Sequence, residues 1–226
     1  MEINADFSKA VIVHAGKMDW VASPMKGVDR RMLDRIGDEV ARATSIVRYA
    51  PGSHFSAHTH TGGEEFLVLQ GVFQDEHGDF PAGTYVRNPP TSSHTPRSDD
   101  GCTIFVKLWQ FDMEDRHQMS INTNKADWRS NADSDGIETL KLYEDDREHV
   151  FMQRWSAGIH VDLIAPGGME ILVTEGGFEA EGQTFEPQSW LRLPAGGQTS
   201  STAGPQGCTV WIKRGHLKET PQAPAT

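Results

Sequence analysis

The chain has 226 residues, a net charge of −11 from 32 acidic against 21 basic side chains, and a hydrophobic fraction of 37%. That length fits one large domain or two small ones, and either can bury a core. The acidic balance, with no Lys/Arg cluster to offset it, argues against direct nucleic-acid binding, and no apolar run approaches the ~20 residues of a membrane span.

The N-terminal stretch has no basic start, no long apolar segment and no small-residue cleavage site, so a cytoplasmic protein is expected. Residues 30–43 alone resemble a helix, and their charges suit a peripheral one. The stretch 52–71 then brings His58, His60 and Glu64 together between Gly52 and Gly71. On a strand, His58 and His60 at i and i+2 project from one face. The Gly62-Gly63 pair is a natural bend that lets Glu64 turn back toward the rings. Residues 66–70 and 104–109 are rich in β-branched, aromatic and aliphatic side chains and read as strands. Between them, residues 74–79 read as a hairpin loop, and Pro81, Gly83 and Pro89 frame a strand pair that delivers His94. Three neutral imidazoles and a carboxylate suit one divalent transition metal per chain.

The pattern then repeats. Gly62 to Gly71 matches Gly167 to Gly176 at an offset of 105 residues, and Pro89 matches Pro194 at the same offset. Gly101 to Lys107 matches Gly207 to Lys213 at 106, and Lys17 to Trp20 echoes Lys125 to Trp128 at 108. Matched blocks in the same order indicate duplication. The halves are placed at 1–115 and 120–217, with a disordered tail over 218–226. Many short strands punctuated by turns indicate an all-β sandwich or barrel in each half. Cys102 and Cys208 head equivalent strands of separate halves, so two free buried thiols are expected rather than a disulfide.

The residues resemble a known family. The spacing G-x5-H-x-H-x3-E-x6-G from Gly52 to Gly71 is similar to the first cupin motif at every fixed position. Pro81, Gly83, Pro89 and His94 resemble the second motif, although Thr84 replaces its usual Asp and no Asn follows the His. Residues 15–112 further resemble the cupin domain of ChrR-type anti-sigma factors, and also small cupin dioxygenases that cleave diketones or hydroxyacetophenones. The resemblance implies two tandem jelly-roll barrels, the second a degenerate copy, with a metal inside the first. Zinc is the first expectation from the ChrR-type regulators, and iron(II) or manganese the alternative.

In the second half, Met169 stands opposite Glu64, Thr199 opposite His94, and residues 163–166 opposite His58 and His60, so that barrel is expected to be metal-free. Glu65 either orients a ligand imidazole or is a plain strand residue. His54 and His77 read as exposed loop residues, and His117, His149, His160 and His216 lack spacing partners. The six tryptophans are expected to fill barrel interiors and the contact between halves, and Tyr85, Arg87, Phe66 and Phe105 to pack in the core. No general base stands out beyond the ligands. Two functions follow as expectations: a regulatory sensor of reactive oxygen or a small ligand, or an iron(II) dioxygenase acting on a small carbonyl compound. A small-molecule ligand or substrate and a homodimer are expected partners. Sigma-factor binding is not supported by this chain alone, because it has no HxxxCxxC site.

Overall fold

The computed structural model describes residues 1–130 and 135–224. Among them there is no α-helix, only a three-residue 3-10 turn at Ala15–Lys17, and so no helix able to cross a membrane. The chain forms two compact units. The first holds Met1–Ala5 and Asp19–Ala126, the second Asp6–Met18 and Asp127–Pro221. Each is a jelly-roll barrel, so the all-β, duplicated expectation holds.

In the first unit the strands run in the order Glu2–Ile3, Val28–Gly37, Ala41–Tyr49, Cys102–Leu108, Glu64–Asp75, Thr84–Asn88 and Met119–Asn122, all antiparallel. Alternate residues of these strands, among them Val47, Phe66, Val68, Ile104 and Val106, point inward to form the core. The second unit repeats the order with Ile137–Glu144, His149–Trp155, Gly197–Arg214, Met169–Ala180 and Ser189–Leu193. Each sheet is completed by a strand from outside its repeat. Met119–Asn122 pairs with Thr84–Asn88, and Val11–His14 pairs with Ser189–Leu193.

The helix expected over residues 30–43 is instead a hairpin of Val28–Gly37 and Ala41–Tyr49. Its charges do not sit on one helical face. Asp29 pairs across the ladder with Arg48, while Arg30 lies on the other side of the same strand. Charge on both faces hides the period of two that would have marked a strand. A bulge between Met32 and Asp34 adds a further break in the alternation.

The hairpin at 74–79 is present, with Gln74 opposite Asp79 and Asp75 opposite Gly78. Trp155, Trp190 and Trp211 are buried, but Trp20 and Trp128 are not interior. Each lies against an arginine instead: the Arg48 guanidinium is 4.4 Å from the Trp20 ring, and Arg154 is 3.9 Å from Trp128. From residue 218 to 224 the tail has no regular secondary structure, and residues 225–226 lie outside the described residues. Cys102 and Cys208 are both free and buried.

Candidate metal centre

His58 sits on the two-residue strand His58–Thr59, which pairs with Ser93–His94 so that His58 lies directly opposite His94. His60 follows two residues on. The three rings form a near-equilateral triangle, with centroid separations of 4.9, 5.0 and 4.6 Å. One ring nitrogen from each lies within 4.8 Å of the others, close enough for a single ion. This short ladder is why the spacing matters: one residue of slip would turn His58 and His60 to the opposite face.

Glu64 opens the strand Glu64–Asp75 just after Gly63, whose φ is +78°. A Cβ at Gly63 would come within 2.4 Å of the Phe111 ring, and one at Gly62 within 2.0 Å of Trp109. Only glycine fits there, and the bend brings Glu64 Oε2 to 3.6 Å from His60 Nε2 and 3.7 Å from His94 Nε2. Those distances are too long for hydrogen bonds. They match the spacing of donors around an ion bonded at about 2.0–2.2 Å to each. Both Nε2 atoms are buried and have no hydrogen-bond partner. The donor set therefore fits a divalent metal, with two buried imidazole nitrogens within 3.7 Å of one carboxylate oxygen.

Two neighbours that sequence reasoning missed hold these groups in place. Asp75 Oδ2 lies 3.1 Å from His94 Nδ1, so an Nδ1–H donates to it and leaves Nε2 for the ion. Asp75 itself accepts from the His77 backbone N–H at 2.7 Å. The only sequence signal was an acid at the mouth of the 74–79 hairpin, where acids are also ordinary turn residues. Asn88 Nδ2 donates to Glu64 Oε2 at 3.4 Å, and His58 Nδ1 lies 3.3 Å from the Ser56 carbonyl.

The electrostatics follow from burial and these partners. Burial lowers the pKa of His60, partly offset by the Glu64 carboxylate. Burial acts the same way on His94, but the hydrogen bond to Asp75 and the charge of Glu64 outweigh it and raise its pKa. Burial would raise Asp75, yet hydrogen bonds from His94 and the His77 backbone hold it below the usual carboxylate range.

Glu65 is settled by alternation. It is 1% exposed on the face away from the cluster, accepts from Tyr85 Oη at 2.8 Å, and stands opposite Arg87. Its role is structural, as is that of Tyr85 and Arg87. His54 and His77 are exposed and outside the cluster. In the second unit, Leu163, Ala165, Met169, Leu191 and Leu193 fill the corresponding interior, and no comparable cluster occurs there among the described residues.

The cluster opens on a cavity of about 260 Å3, lined by His58, His60 and Glu64 on one side and by the Val28–Gly37 and Ala41–Tyr49 strands on another. Tyr49 is in that lining, its phenol pushed up in pKa by burial and by the nearby Glu64 carboxylate.

A family model described as the ChrR cupin-like domain matches this chain twice, over residues 8–112 and 116–218. No curated protein matches it. Among solved structures, a candidate dioxygenase from Nostoc punctiforme PCC 73102 superposes with a TM-score of 0.77 at 13% identity, covering 97% of this chain and 87% of that one. A candidate glyoxylate-induced protein from Pseudomonas aeruginosa gives 0.72 at 13% identity, covering 100% and 94%. A bacterial pirin from Escherichia coli in complex with nickel(II) gives 0.64 at 14% identity, covering 92% and 99%. At such identities the likeness establishes the shared fold.

Proposed function

The chain belongs to the ChrR cupin-like domain family, and on that footing we propose that its first barrel is a divalent-metal centre serving a small molecule held in the adjoining cavity. The observation that supports this reading is the pair of buried, unpartnered nitrogens, His60 Nε2 and His94 Nε2, beside the Glu64 carboxylate. A buried polar atom without a partner costs about 1–3 kcal/mol, a cost that a bound ion removes. His58, His60, Glu64 and His94 would hold the ion. When bound, such an ion supplies Lewis acidity, and iron(II) in addition supplies a place for oxygen.

The chain's own groups do the rest. Asp75 fixes the His94 ring with Nδ1 as its donor, so that Nε2 is the nitrogen left for the ion. Asn88 holds the Glu64 oxygen in position. Phe55, Val106, Leu108 and Trp109 give the cavity an apolar lining that limits water around a bound ligand. A sealed structural zinc has no need of a cavity at its ligands, so the open side favours a site that exchanges small molecules.

We read that exchange as catalytic: oxygen-dependent conversion of a small carbonyl compound, in line with the description of the Nostoc neighbour as a candidate dioxygenase. A second reading, a sensor in which the same occupant is the signal, is favoured by the family match to the ChrR cupin. Anaerobic purification, metal analysis and then oxygen uptake with acetylacetone and hydroxyacetophenones separates the two. Enzymatic function predicts about one divalent ion per chain and oxygen consumption that His60→Ala abolishes. A loaded protein that consumes no oxygen would pass the case to the sensor, and a protein that retains no metal would refute both.

A further inference from the structure

We propose that the cavity beside the metal centre is built for a small carboxylate-bearing ligand, whose anionic end is gripped by Arg30 and Arg35 while its remaining oxygen faces the imidazole cluster. This deepens the reading above and rests on it for the metal side of the site.

The register of the first hairpin is the starting point. Val28, Arg30, Met32 and Arg35 stand opposite Tyr49, Val47, Ser45 and Ala43, and all eight line the cavity. Simple alternation after Met32 would put Asp34 in the inward position. The bulge between Met32 and Asp34 moves Asp34 out, where it is buried 3.8 Å from Arg42, and brings Arg35 in. Asp29, the other acid of that strand, also faces away, paired with Arg48 at 2.6 Å. The strand thus sends both its carboxylates outward and two arginines toward the cavity, Arg30 without a carboxylate partner among the described residues and Arg35 also donating to the Asp38 carbonyl at the hairpin turn.

Arg30 is partly buried, and among the described residues no carboxylate pairs with it. Burial lowers its pKa, and the neighbouring Arg35 charge adds to that effect. Two like charges in one cavity repel, and a protein of net charge −11 has no shortage of acids to neutralise them. With three neutral imidazoles and one carboxylate, a divalent ion would leave the ligand cluster at about +1, so the cavity as a whole attracts anions. A guanidinium matches a carboxylate with two parallel hydrogen bonds, which a lysine would not. The volume of about 260 Å3 lies just under the roughly 300–1,000 Å3 of ordinary ligand pockets, so the ligand is small.

The second barrel supplies an internal control. Its equivalent hairpin has the same bulge, between Lys141 and Tyr143. By register, Thr139 opposite Gln153 occupies the place of Arg30, and Glu144 opposite His149 the place of Arg35. Where the metal ligands are absent, both arginines are absent too. The bulge belongs to the scaffold, and the inward guanidiniums go with the metal centre.

The test is calorimetric titration of the metal-loaded protein with acetate, pyruvate and phenylglyoxylate, each against its neutral methyl ester. Metal content is measured on the same samples. At least one acid should bind ten times or more tightly than its ester. Arg30→Gln should remove that preference with metal content unchanged, and Arg30→Lys should restore part of it. Acids that bind no better than esters, or a preference that survives Arg30→Gln, would overturn the proposal. If metal analysis finds the cluster empty, the metal reading has failed by itself. The same titrations on that protein still decide the arginine subsite, through the Arg30-dependent preference alone.

Discussion

Replacing Asp75 tests whether the imidazole cluster is a metal site held by its surroundings. Its side chain is 5% exposed and its Oδ2 is 3.1 Å from His94 Nδ1, so it fixes both the ring orientation and the tautomer that leaves Nε2 available. Removing such a partner typically weakens metal binding by about 10–100-fold, or about 1.4–2.8 kcal/mol. Asp75→Asn keeps an acceptor oxygen for the Nδ1–H and loses only the charge, so it belongs at the lower end, about tenfold. Asp75→Ala also takes the acceptor from the His77 backbone N–H and should approach the upper end, about a hundredfold. Competition with a fluorescent chelator for zinc(II) or manganese(II) measures both. Urea unfolding of the metal-free variants separates loss of affinity from loss of fold. If both variants bind within about twofold of the parent while His94→Ala releases the ion, Asp75 does not support the site and the geometric argument fails.

Elemental analysis should find about one ion per chain, lost in His60→Ala and retained in His77→Ala, since His77 lies on the exposed turn; two tightly held ions would contradict the apolar second interior. Acid should release the ion as protons compete for the imidazoles around their unperturbed pKa of about 6.5. His94, with its raised pKa, takes a proton before His60, whose pKa burial lowers. Far-UV circular dichroism should keep its β-sheet signal through that release, because the second barrel folds around an apolar interior; collapse of the signal would indicate a structural ion instead. Burial pushes the Cys102 thiol up to about 11 and Cys208 to about 12, so iodoacetamide at pH 8 should label the unfolded chain far faster than the folded one, and equal rates would refute their burial.

The duplication, the all-β class and the imidazole cluster were legible because each rests on local spacing. Glycines at fixed intervals mark turns, and His58 and His60 share a face whichever strand they pair with. Residues 30–43 were misread for the opposite reason. Asp34 within them and Asp29 just before them find partners across the hairpin, Arg42 and Arg48, while Arg30 and Arg35 line a cavity, none of which a one-dimensional pattern contains. Asp75 was invisible because its partner, His94, is nineteen residues away and the pairing exists only once the hairpin folds back. Trp20 and Trp128 misled through chemistry. A tryptophan reads as core, yet its ring can equally form the floor under a guanidinium at a half-exposed edge.

Two copies of one scaffold in a single chain also separate what the fold needs from what the site needs. Both barrels bury a glutamate opposite an arginine on the face away from the interior: Glu65 with Arg87, and Glu170 with Arg192. In each, an aromatic side chain at the same offset donates to the glutamate, Tyr85 in one and Trp190 in the other. In each, the arginine lies over a phenylalanine, Phe111 at 4.3 Å and Phe7 at 3.9 Å. Buried charge of this kind is costly to break, since removing one partner strands the other in a low dielectric. It persists where the metal ligands do not, so it belongs to the scaffold. The interiors diverge instead. One keeps His58, His60, Glu64, His94, Asp75, Arg30 and Arg35, and the other has replaced them with Leu163, Met169, Ala180, Thr139 and their neighbours. A barrel that folds with an apolar filling has no need of Arg30, Arg35, His58, His60 and Glu64 lining one cavity, with Asp75 bonded to His94 beside them. Their cost in the first barrel is one that the proposed metal and anionic ligand would offset.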